Sequence, residues 1–384
     1  MRIALLHSFY ASDSSSGENV VVDAQFQALS AAGHEVLLLG RRTDDEVQLP
    51  GYRRRAAWQT LTSRGPDPSP RLRAFAPDVV HVHNTVPNIG LSWLGDWSGP
   101  IVHTLHNYRP LCANGLLFRD GRLCTDCPDG RPWSALEHAC YRDSRVATLP
   151  IAGRNATGVD HNRLLQRADA LVVLSEFARD TFVRYGVDER RLRLIPNGVT
   201  DLTGSARPAP ATQRWLAVGR LRAEKGFAEL LRSWPANVPL DIAGDGPQRA
   251  ELEQLAGPEV ALLGEVPAAT LRERLPDYTG LVFTGLAPES ATPLVVVEAL
   301  EAGVPVAVVS SSPHARALIA DGVAMGFDAR DGLVDPDGLR AAMVWVRTGG
   351  DDLRRRVREV FEQRFTQTLW LAALIGLYRE VGAP

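Results

Sequence analysis

The sequence predicts an α/β protein with two doubly wound domains, each built on a parallel sheet. A chain of 384 residues is too long for one ordinary hydrophobic core, and roughly 150 residues per domain favours two domains. Short apolar runs without polar alternation recur along the chain, which is typical of parallel strands buried on both faces. A segment rich in Pro, Ala and Ser divides the chain at residues 201–213 and is predicted to be a linker.

The first half, residues 1–200, is predicted to form an N-terminal domain. Its apolar runs predict strands at 2–8, 35–40, 78–83, 100–105 and 170–175. After the first run, a Ser-rich loop ends at Gly17, and apolar residues then recur at helical spacing over 18–33. This order of strand, loop and helix is that of a βαβ unit, whose loops at the carboxyl ends of strands are where such domains bind ligands.

The second half repeats the alternation over residues 214–365. Its predicted strands are 214–219, 239–243, 259–263, 280–284 and 304–309, and its predicted helices begin near 226 and cover 247–256, 268–274 and 294–302. Two such domains on either side of a linker are expected to face a cleft that holds the ligand. Residues 366–384 are predicted to form a last helix, whose apolar stretch is shorter than the ~20 residues of a membrane span.

The charge balance and the amino terminus exclude several classes of protein. A net charge of -3 argues against nucleic-acid binding by bulk charge. We expect a cytoplasmic protein without a signal peptide or an integral membrane segment, since the chain leads directly into a buried strand. Three consecutive arginines at residues 53–55 leave peripheral contact with a membrane open. Of 42 basic residues 41 are Arg, so the single lysine, Lys225, marks a position where a compact ammonium is required.

Four cysteines lie within 29 residues, in a turn-rich insert that covers residues 110–141. They are Cys112, Cys124, Cys127 and Cys140. The Cys-x-x-Cys pair with a single cysteine on either side favours a structural zinc site, since four thiolates complete a tetrahedron. Disulfide bonds and reduced thiols are the alternatives that the spacing leaves open. An insert this poor in apolar residues needs a metal ion or a cross-link to stabilise its fold.

A loop over residues 219–226 has the composition of a phosphate-binding site. It follows a predicted strand and opens a helix, so that Gly219 allows close approach of a ligand. Arg220 and Lys225 add two full positive charges. The alternative is a set of surface charges at a helix end. The unique lysine favours a binding site for a diphosphate.

A second loop, residues 288–293, precedes the helix that carries Glu298. Free N–H groups at the start of that helix can bind phosphate or sugar oxygens. A carboxylate just inside the helix can accept hydrogen bonds from neighbouring hydroxyl groups. Glu298 lies among apolar neighbours, which favours a buried functional acid over a solvated one. For Glu289, a functional acid and a solvated surface acid are equally favoured.

Several motifs together carry a resemblance to a known family. They are Gly17-Glu18-Asn19, His81-Val82-His83-Asn84, Thr104-Leu105-His106-Asn107, Leu174-Ser175-Glu176, Pro196-Asn197-Gly198-Val199, Gly219-Arg220 with Lys225-Gly226, Gly244-Asp245-Gly246-Pro247, Gly264-Glu265-Val266-Pro267 and Pro293-Leu294-Val295-Val296-Val297-Glu298-Ala299. With these motifs the chain resembles a family 4 retaining glycosyltransferase of the GT-B fold. The cysteine-bearing segment resembles one branch of that family.

The resemblance implies roles for individual residues. Arg220 and Lys225 would bind the donor diphosphate and neutralise the leaving group in place of a metal ion, so no cofactor is expected for catalysis. His106 would contact the donor sugar, with a core histidine as the alternative. Glu289 would be the first acid of the family's acid pair. The donor-binding residues would be Gly17, Asn197, Gly219, Gly246, Glu265, Val266, Ser290, Thr292, Pro293, Leu294, Val295 and Glu298.

One departure from the family pattern concerns this acid pair. The family has seven residues between its two acids, whereas Glu289 and Glu298 are separated by eight. Either a one-residue bulge lets Glu289 reach the sugar, or Ser290 replaces the first acid and changes the donor preference. We favour the bulge.

The resemblance implies transfer of a hexosyl group from a nucleotide diphosphate sugar, with UDP as the expected nucleotide, to a hydroxyl-bearing acceptor. The resemblance does not choose between a small-molecule natural product and a polysaccharide or lipid intermediate as the acceptor. It likewise does not choose between antibiotic biosynthesis and polysaccharide biosynthesis as the pathway. The alternatives are a sugar-nucleotide epimerase of the same fold and an inactive nucleotide-sugar-binding protein.

Overall fold

The computed structural model describes residues 1–12, 16–330 and 333–384. Their internal contacts divide them into two units. The first contains Met1–Leu117, Cys124–Pro196 and Trp370–Pro384, and the second contains Phe118–Leu123 and Asn197–Leu369. Each unit is organised around a parallel sheet of six strands.

The first half of the chain supplies the six strands of the first sheet and a separate two-stranded hairpin. They are β1 (Arg2–Phe9), β2 (Glu35–Arg42), β3 (Val79–Val82), β4 (Ile101–Thr104), β5 (Phe118–Arg119), β6 (Arg122–Leu123), β7 (Ala170–Val173) and β8 (Leu192–Leu194). The sheet order is β2-β1-β3-β4-β7-β8, and β5 and β6 form a separate antiparallel hairpin. Ile3, Leu5 and Leu6 in β1 have no exposed surface. Burial of each such side chain contributes ~1.5–3 kcal/mol.

The second sheet has the order β11-β10-β9-β12-β13-β14. Its strands, and a short hairpin that follows them, are β9 (Trp215–Val218), β10 (Leu240–Ala243), β11 (Val260–Gly264), β12 (Gly280–Phe283), β13 (Val306–Val309), β14 (Ala324–Phe327), β15 (Ala329–Arg330) and β16 (Leu333–Val334). Numbered within the unit, this order is 3-2-1-4-5-6, the arrangement of a Rossmann domain. The strand order reverses between β9 and β12, as it does between β1 and β3 in the first sheet.

Helices connect the strands in both halves. In the first half they are α1 (Gly17–Ala31), α2 (Thr43–Val47), α3 (Tyr52–Thr62), α4 (Ser69–Phe75), α5 (Ser134–Glu137), α6 (Arg145–Asn155), α7 (Arg163–Arg167) and α8 (Glu176–Arg184). In the second half they are α9 (Phe227–Ser233), α10 (Arg249–Leu255), α11 (Ala268–Arg274), α12 (Leu294–Glu301), α13 (Ala315–Ala320), α14 (Pro336–Arg364) and α15 (Gln367–Glu380).

Local sequence explains where several of these helices begin. Ser16 caps α1, because its side chain accepts a hydrogen bond from the N–H of Asn19. Ser175 caps α8 in the same way through the N–H of Ala178. Such caps satisfy an N–H group that would otherwise lack a partner at the first turn, and each stabilises its helix by about 1 kcal/mol. The cap at Ser16 fixes the start of α1, directly after the loop that follows β1.

The structure confirms the two doubly wound sheets and adds elements that the apolar pattern did not reveal. The strands β8 and β14 and the long helix α14 were not predicted. Non-helical backbone at Gly350 interrupts α14, which explains why its sequence does not read as one continuous helix. The last helix extends over Gln367–Glu380. None of the helices in the described ranges combines the length and the apolar character that a bilayer span requires.

Candidate active site

The loops at the carboxyl ends of β9, β10 and β11 stack on one another in the second unit. Gly244 is required there, because a Cβ at this position would lie 2.0 Å from the carbonyl oxygen of Gly219. The N–H of Gly244 in turn donates to the carbonyl of Gly264 at 2.7 Å. Gly226 has a φ of +71°, and a Cβ there would lie 2.6 Å from the carbonyl oxygen of Thr284. Close packing of glycine backbone therefore shapes the loop that carries Lys225.

Lys225 forms an ion pair with Glu289 across two loops. Its Nζ lies 2.6 Å from Oε1 of Glu289, and both side chains are about three-quarters buried. Burial alone would raise the pKa of Glu289, but the charge and hydrogen bond of Lys225, followed by the charges of His314 and Arg220, lower it below its ordinary value. Glu289 is therefore ionised at neutral pH. Arg220 itself is exposed, so it adds a solvent-facing positive charge beside the pair.

His314 completes this cluster, and no motif in the sequence marks it as a functional residue. It follows β13 in a Ser- and Pro-containing loop, is buried, and neither ring nitrogen has a hydrogen-bond partner in the described residues. Its ring packs edge-on against Phe283, with 5.1 Å between the centroids. Burial lowers its pKa to about 4, and the charges of Glu289 and Lys225 act on it in opposite directions. A neutral imidazole with unsatisfied nitrogens is available to a ligand.

Glu298 lies on α12, whose first turn receives no side-chain cap from Pro293. Burial raises the pKa of Glu298 to about 7, opposed by the charge of Arg272 and reinforced by Glu301. Arg272 is 3.9 Å from Glu298 and 3.5 Å from Glu301. Near neutral pH, Glu298 thus changes between a proton-carrying acid and a carboxylate that can accept two hydroxyl hydrogen bonds.

The other predicted donor residues of the second unit lie on the same sheet edge or on neighbouring loops. Gly246 follows β10, and Glu265 and Val266 follow β11. Ser290 is buried beside Glu289, and Thr292, Pro293, Leu294 and Val295 lead into α12. Asn197 is buried, and its Oδ1 has no hydrogen-bond partner among the described residues. The ion pair and the charges around it bring Arg220, Lys225, Glu289 and His314 together, whereas Glu298 interacts with Arg272 and Glu301.

In the first unit, His106 belongs to a group of stacked imidazoles. Its Nε2 lies 2.8 Å from Nδ1 of His83, with the rings 5.1 Å apart. His81 also stacks on His83, with 4.3 Å between the ring centroids. Burial lowers the pKa of His106 well below its ordinary value, and the nearby histidines add to the effect. The site thus holds a neutral imidazole at the carboxyl end of β4, which a donated or accepted hydrogen bond can orient.

A second buried group in the first unit centres on Glu18. Its Oε2 accepts hydrogen bonds from the hydroxyl of Tyr10 at 3.2 Å and from Nδ2 of Asn107 at 3.3 Å. Burial raises the pKa of Glu18 to about 7, although the charge of Arg109 opposes the rise. Gly17 is the first residue of α1 and is exposed. In the sequence, Glu18 stands out only as part of the Gly17-Glu18-Asn19 motif, whereas its burial in the folded chain raises its pKa.

The four cysteines are close enough to influence one another. Burial raises the pKa of Cys127 to about 11, with further contributions from Cys112, Cys140 and Cys124. The described residues, which include all four, contain no disulfide and no group of three or more His, Cys, Asp or Glu arranged around a metal ion. Binding of zinc would therefore require the four thiols to converge further than they do.

Two family models match the chain. The model described as Glycosyltransferase Family 4 matches residues 15–201. The model described as Glycosyl transferases group 1 matches residues 212–347. The comparison with curated proteins found no match. The matched families give no separate support to a cysteine-bearing branch.

Solved structures share the fold along the whole chain. Sucrose-phosphate synthase from Thermosynechococcus elongatus has a TM-score of 0.67 at 19% identity, with 99% of this chain and 98% of that chain covered. The Anabaena protein HepE in complex with UDP-glucose has a TM-score of 0.59 at 16% identity, with 98% of this chain and 99% of that chain covered. WaaG, a glycosyltransferase involved in lipopolysaccharide biosynthesis, has a TM-score of 0.62 at 16% identity, with both chains covered completely.

At these identities the structural likeness concerns the fold, which is that of GT-B proteins with two Rossmann-like domains. The family models add the class of reaction, because they match both halves of the chain. The chain belongs to the family 4, group 1 glycosyltransferases and is a glycosyltransferase of the GT-B fold.

Proposed function

We propose that the enzyme transfers a hexosyl group from a UDP-sugar to a hydroxyl group of its acceptor, with retention of the anomeric configuration. The observation that carries this proposal is the ion pair between Lys225 and Glu289, with Arg220 beside it, at the carboxyl ends of β9 and β12. That position is where doubly wound sheets bind nucleotides. HepE, which has the same fold, binds UDP and UDP-glucose, and we extend this donor class to the present chain.

The donor diphosphate would bind at Arg220 and Lys225. Charge-assisted hydrogen bonds from these side chains would stabilise the negative charge that develops on the leaving group, without a metal ion. Glu298 would accept hydrogen bonds from the ribose hydroxyls. Gly219 and Gly246 allow the backbone to approach the donor, whereas Glu265 and Val266 would border the base. Asn197, whose buried amide oxygen lacks a partner, would bind the donor as well.

The transferred sugar would lie against the loop that contains Glu289. The carboxylate of Glu289 is held by Lys225 and remains ionised, so it can accept hydrogen bonds from sugar hydroxyls. This favours Glu289 over the buried Ser290 as the first acid of the pair. Thr292 and the backbone N–H groups of Leu294 and Val295, at the start of α12, which has no side-chain cap at Pro293, would bind sugar and phosphate oxygens. By the family resemblance, Gly17 and His106 would also contact the transferred sugar.

The reaction exchanges one bond at the anomeric carbon for another. The bond from that carbon to the phosphate oxygen breaks, and UDP leaves with the electron pair. The acceptor oxygen forms the new bond on the same face, and its proton passes to the departing phosphate oxygen. His106 is neutral, so it contributes a hydrogen bond to the sugar and no charge.

We also propose a structural zinc ion bound by Cys112, Cys124, Cys127 and Cys140. The mutual effect of the thiols on the pKa of Cys127 supports their proximity. Zinc would offset that effect, because a coordinated thiol loses its proton. The insert packs on α6 through a small apolar cluster, in which Ala113 and Ala135 meet Ile151 and Ala152, so a metal would contribute to its stability.

Incubation of the purified enzyme with a panel of radiolabelled UDP-sugars and a mixture of hydroxyl-bearing acceptors tests the proposal. The expected result is label in a new product of unchanged anomeric configuration, with UDP released in equal amount. Conversion of the donor to an epimer would replace the proposal by the epimerase alternative. Tight donor binding without any turnover across the panel would make the chain a nucleotide-sugar-binding protein.

A further inference from the structure

The first unit contains a cavity of about 80 Å³ at the carboxyl ends of β3 and β4. Its wall includes His83 and His106 on one side and Glu18 on another. A water molecule occupies about 30 Å³ of liquid, so the cavity has room for a group of a few heavy atoms. It is lined entirely by residues of the first unit.

Three arginines line this cavity, and a single acidic residue faces them. The arginines are Arg109, Arg154 and Arg163, and the acid is Glu18. In the described part of the chain, no carboxylate lies within ion-pair distance of any of the three guanidinium groups. Arg154 reaches only the amide oxygen of Asn155, at 3.4 and 3.5 Å. Arg163 is exposed, whereas Arg109 and Arg154 are partly buried. Because guanidinium groups that are removed from solvent are normally paired with acids, Arg109 and Arg154 are an unusual pair.

The tertiary structure holds two of these arginines next to each other. Asn155, at the end of α6, donates a hydrogen bond from Nδ2 to the carbonyl oxygen of Arg109 at 2.8 Å, and this anchors the end of the helix to the loop after β4. Arg109 also lies over the ring of Tyr141, with 5.5 Å to the centroid. Arg109 and Arg154 are therefore positioned by their surroundings before any ligand arrives.

The electrostatics leave the cavity with excess positive charge. Burial, followed by the charge of Arg109, lowers the pKa of Arg154 to about 10, so both side chains stay protonated at neutral pH. Burial raises the pKa of Glu18 to about 7, against the charge of Arg109, so that this acid is only half ionised there. One partly ionised carboxyl group does not neutralise three guanidinium groups.

We propose that this cavity binds an oxyanion carried by the acceptor, a phosphate or a carboxylate group. Guanidinium groups match the planar or trigonal arrangement of oxygens in these anions and form paired hydrogen bonds with them. The inference rests on the proposed transferase function and specifies its acceptor class: an anionic molecule whose charged group is held by Arg109 and Arg154. His106, in the same wall, places this anchor beside the residue assigned to the donor sugar.

Inorganic phosphate is the first probe, titrated by calorimetry into enzyme that is already saturated with UDP. Saturation fills the diphosphate site of the second unit, so any further binding reports a separate anion site. We expect the wild-type enzyme to bind phosphate, and Arg154→Gln and Arg109→Gln to bind it at least tenfold more weakly. Arg190→Ala is the matched control, because Arg190 is exposed and pairs with Asp188. Equal phosphate binding by Arg154→Gln and the wild-type enzyme would overturn the proposal.

Two further readouts keep the result interpretable. Retained UDP affinity and an unchanged circular dichroism spectrum show that the Gln variants fold. In the transfer assay, KM for a glucuronate- or phosphate-bearing acceptor should rise at least tenfold in Arg154→Gln, while donor KM stays constant. Efficient use of neutral acceptors by both proteins would overturn the anionic acceptor and leave the transferase standing. Failure of the wild-type enzyme to bind UDP would overturn the proposed function itself.

The source of the anion is settled by vesicles of phosphatidylcholine with and without phosphatidic acid. Binding that needs phosphatidic acid, is displaced by phosphate and is lost in Arg154→Gln would assign the anion to a lipid headgroup. Phosphate binding without any vesicle binding would assign it to a soluble acceptor. Vesicle binding that is unchanged in Arg154→Gln would contradict a role of this cavity in lipid recognition.

Discussion

The Nζ atom of Lys225 lies 2.6 Å from Oε1 of Glu289, and this contact joins the loop after β9 to the loop after β12. The same two loops share a backbone hydrogen bond from Leu286 to Glu224 and a side-chain hydrogen bond from Thr284 to the carbonyl of Lys225. The only lysine of the chain is therefore fixed in place before a donor binds. Its partner is the acid that we assign to the transferred sugar.

Replacement of Glu289 tests that assignment against the alternative, Ser290. Glu289→Gln should lower kcat by at least about tenfold, because the amide cannot replace the charged acceptor, and leaving the ammonium without its partner costs ~1–3 kcal/mol. Ser290→Ala should change kcat less than about threefold, which corresponds to ~0.6 kcal/mol, because this variant leaves the charged acid in place. Steady-state kinetics with the preferred UDP-sugar measures both. A larger loss of kcat in Ser290→Ala than in Glu289→Gln would assign the first acid position to Ser290.

The raised pKa of Glu298 predicts how nucleoside binding depends on pH. Only the carboxylate accepts hydrogen bonds from both ribose hydroxyls, so affinity for uridine should increase as the pH rises through about 7. Uridine is the probe because it lacks phosphate groups that titrate near pH 6. Calorimetry at several pH values should show the increase in the wild-type enzyme and a flat profile in Glu298→Gln. An equal slope in the two proteins would contradict the role of Glu298.

The same shift has a consequence for folding. Because the folded-state pKa of Glu298 lies above the ordinary value of 4.5, the folded state binds this proton more tightly than the unfolded chain does. Its contribution to stability is present below pH 4.5 and is lost as the pH rises through about 7. The stability difference between Glu298→Gln and the wild-type enzyme should therefore change in favour of the variant over that range. Urea unfolding measured at both ends of the range tests this.

Substitution of His106 separates sugar contact from nucleotide binding. His106→Ala should keep its affinity for UDP within about twofold of wild type and lower transfer by ~10²-fold, the size of a lost catalytic hydrogen bond. The loss should be the same at pH 6 and pH 8, because burial keeps the imidazole neutral throughout. His34→Ala, before β2 at the amino end of that strand, is the control. Loss of UDP binding with transfer spared at saturating donor would contradict the assignment.

Elemental analysis tests the cysteine cluster. We expect about one zinc per chain after purification without chelator, with transfer unaffected by brief treatment with EDTA. The metal would stabilise the insert, whereas in the proposed reaction Arg220 and Lys225 would neutralise the leaving group. A zinc content near zero, together with four thiols that react with a thiol reagent in the folded enzyme, would remove the metal from the account and leave the transferase.

The sequence predicts the two sheets and the Lys225 loop because both depend on local pattern. Continuous apolar runs mark buried parallel strands, and a glycine-rich turn between a strand and a helix marks a phosphate loop. His314 could not be predicted in this way. Its importance comes from burial against Phe283 and from a ring whose nitrogens have no hydrogen-bond partner in the described part of the chain. Both features depend on how the strands β12 and β13 end. Similarly, Arg109 and Arg154 are 45 positions apart, and only the fold places them in one cavity.

The measurement that tests the account most directly is a calorimetric titration of UDP into the wild-type enzyme and two variants of Lys225. We expect Lys225→Ala to bind UDP at least tenfold more weakly, since one charge-assisted hydrogen bond contributes ~1.5–3 kcal/mol. Lys225→Arg should recover only part of the affinity, because a planar guanidinium does not fit the position of the compact ammonium beside Glu289. Arg232→Ala, in the following helix, should bind like wild type. UDP affinity in Lys225→Ala equal to that of the wild-type enzyme would contradict the diphosphate site and with it the proposed reaction.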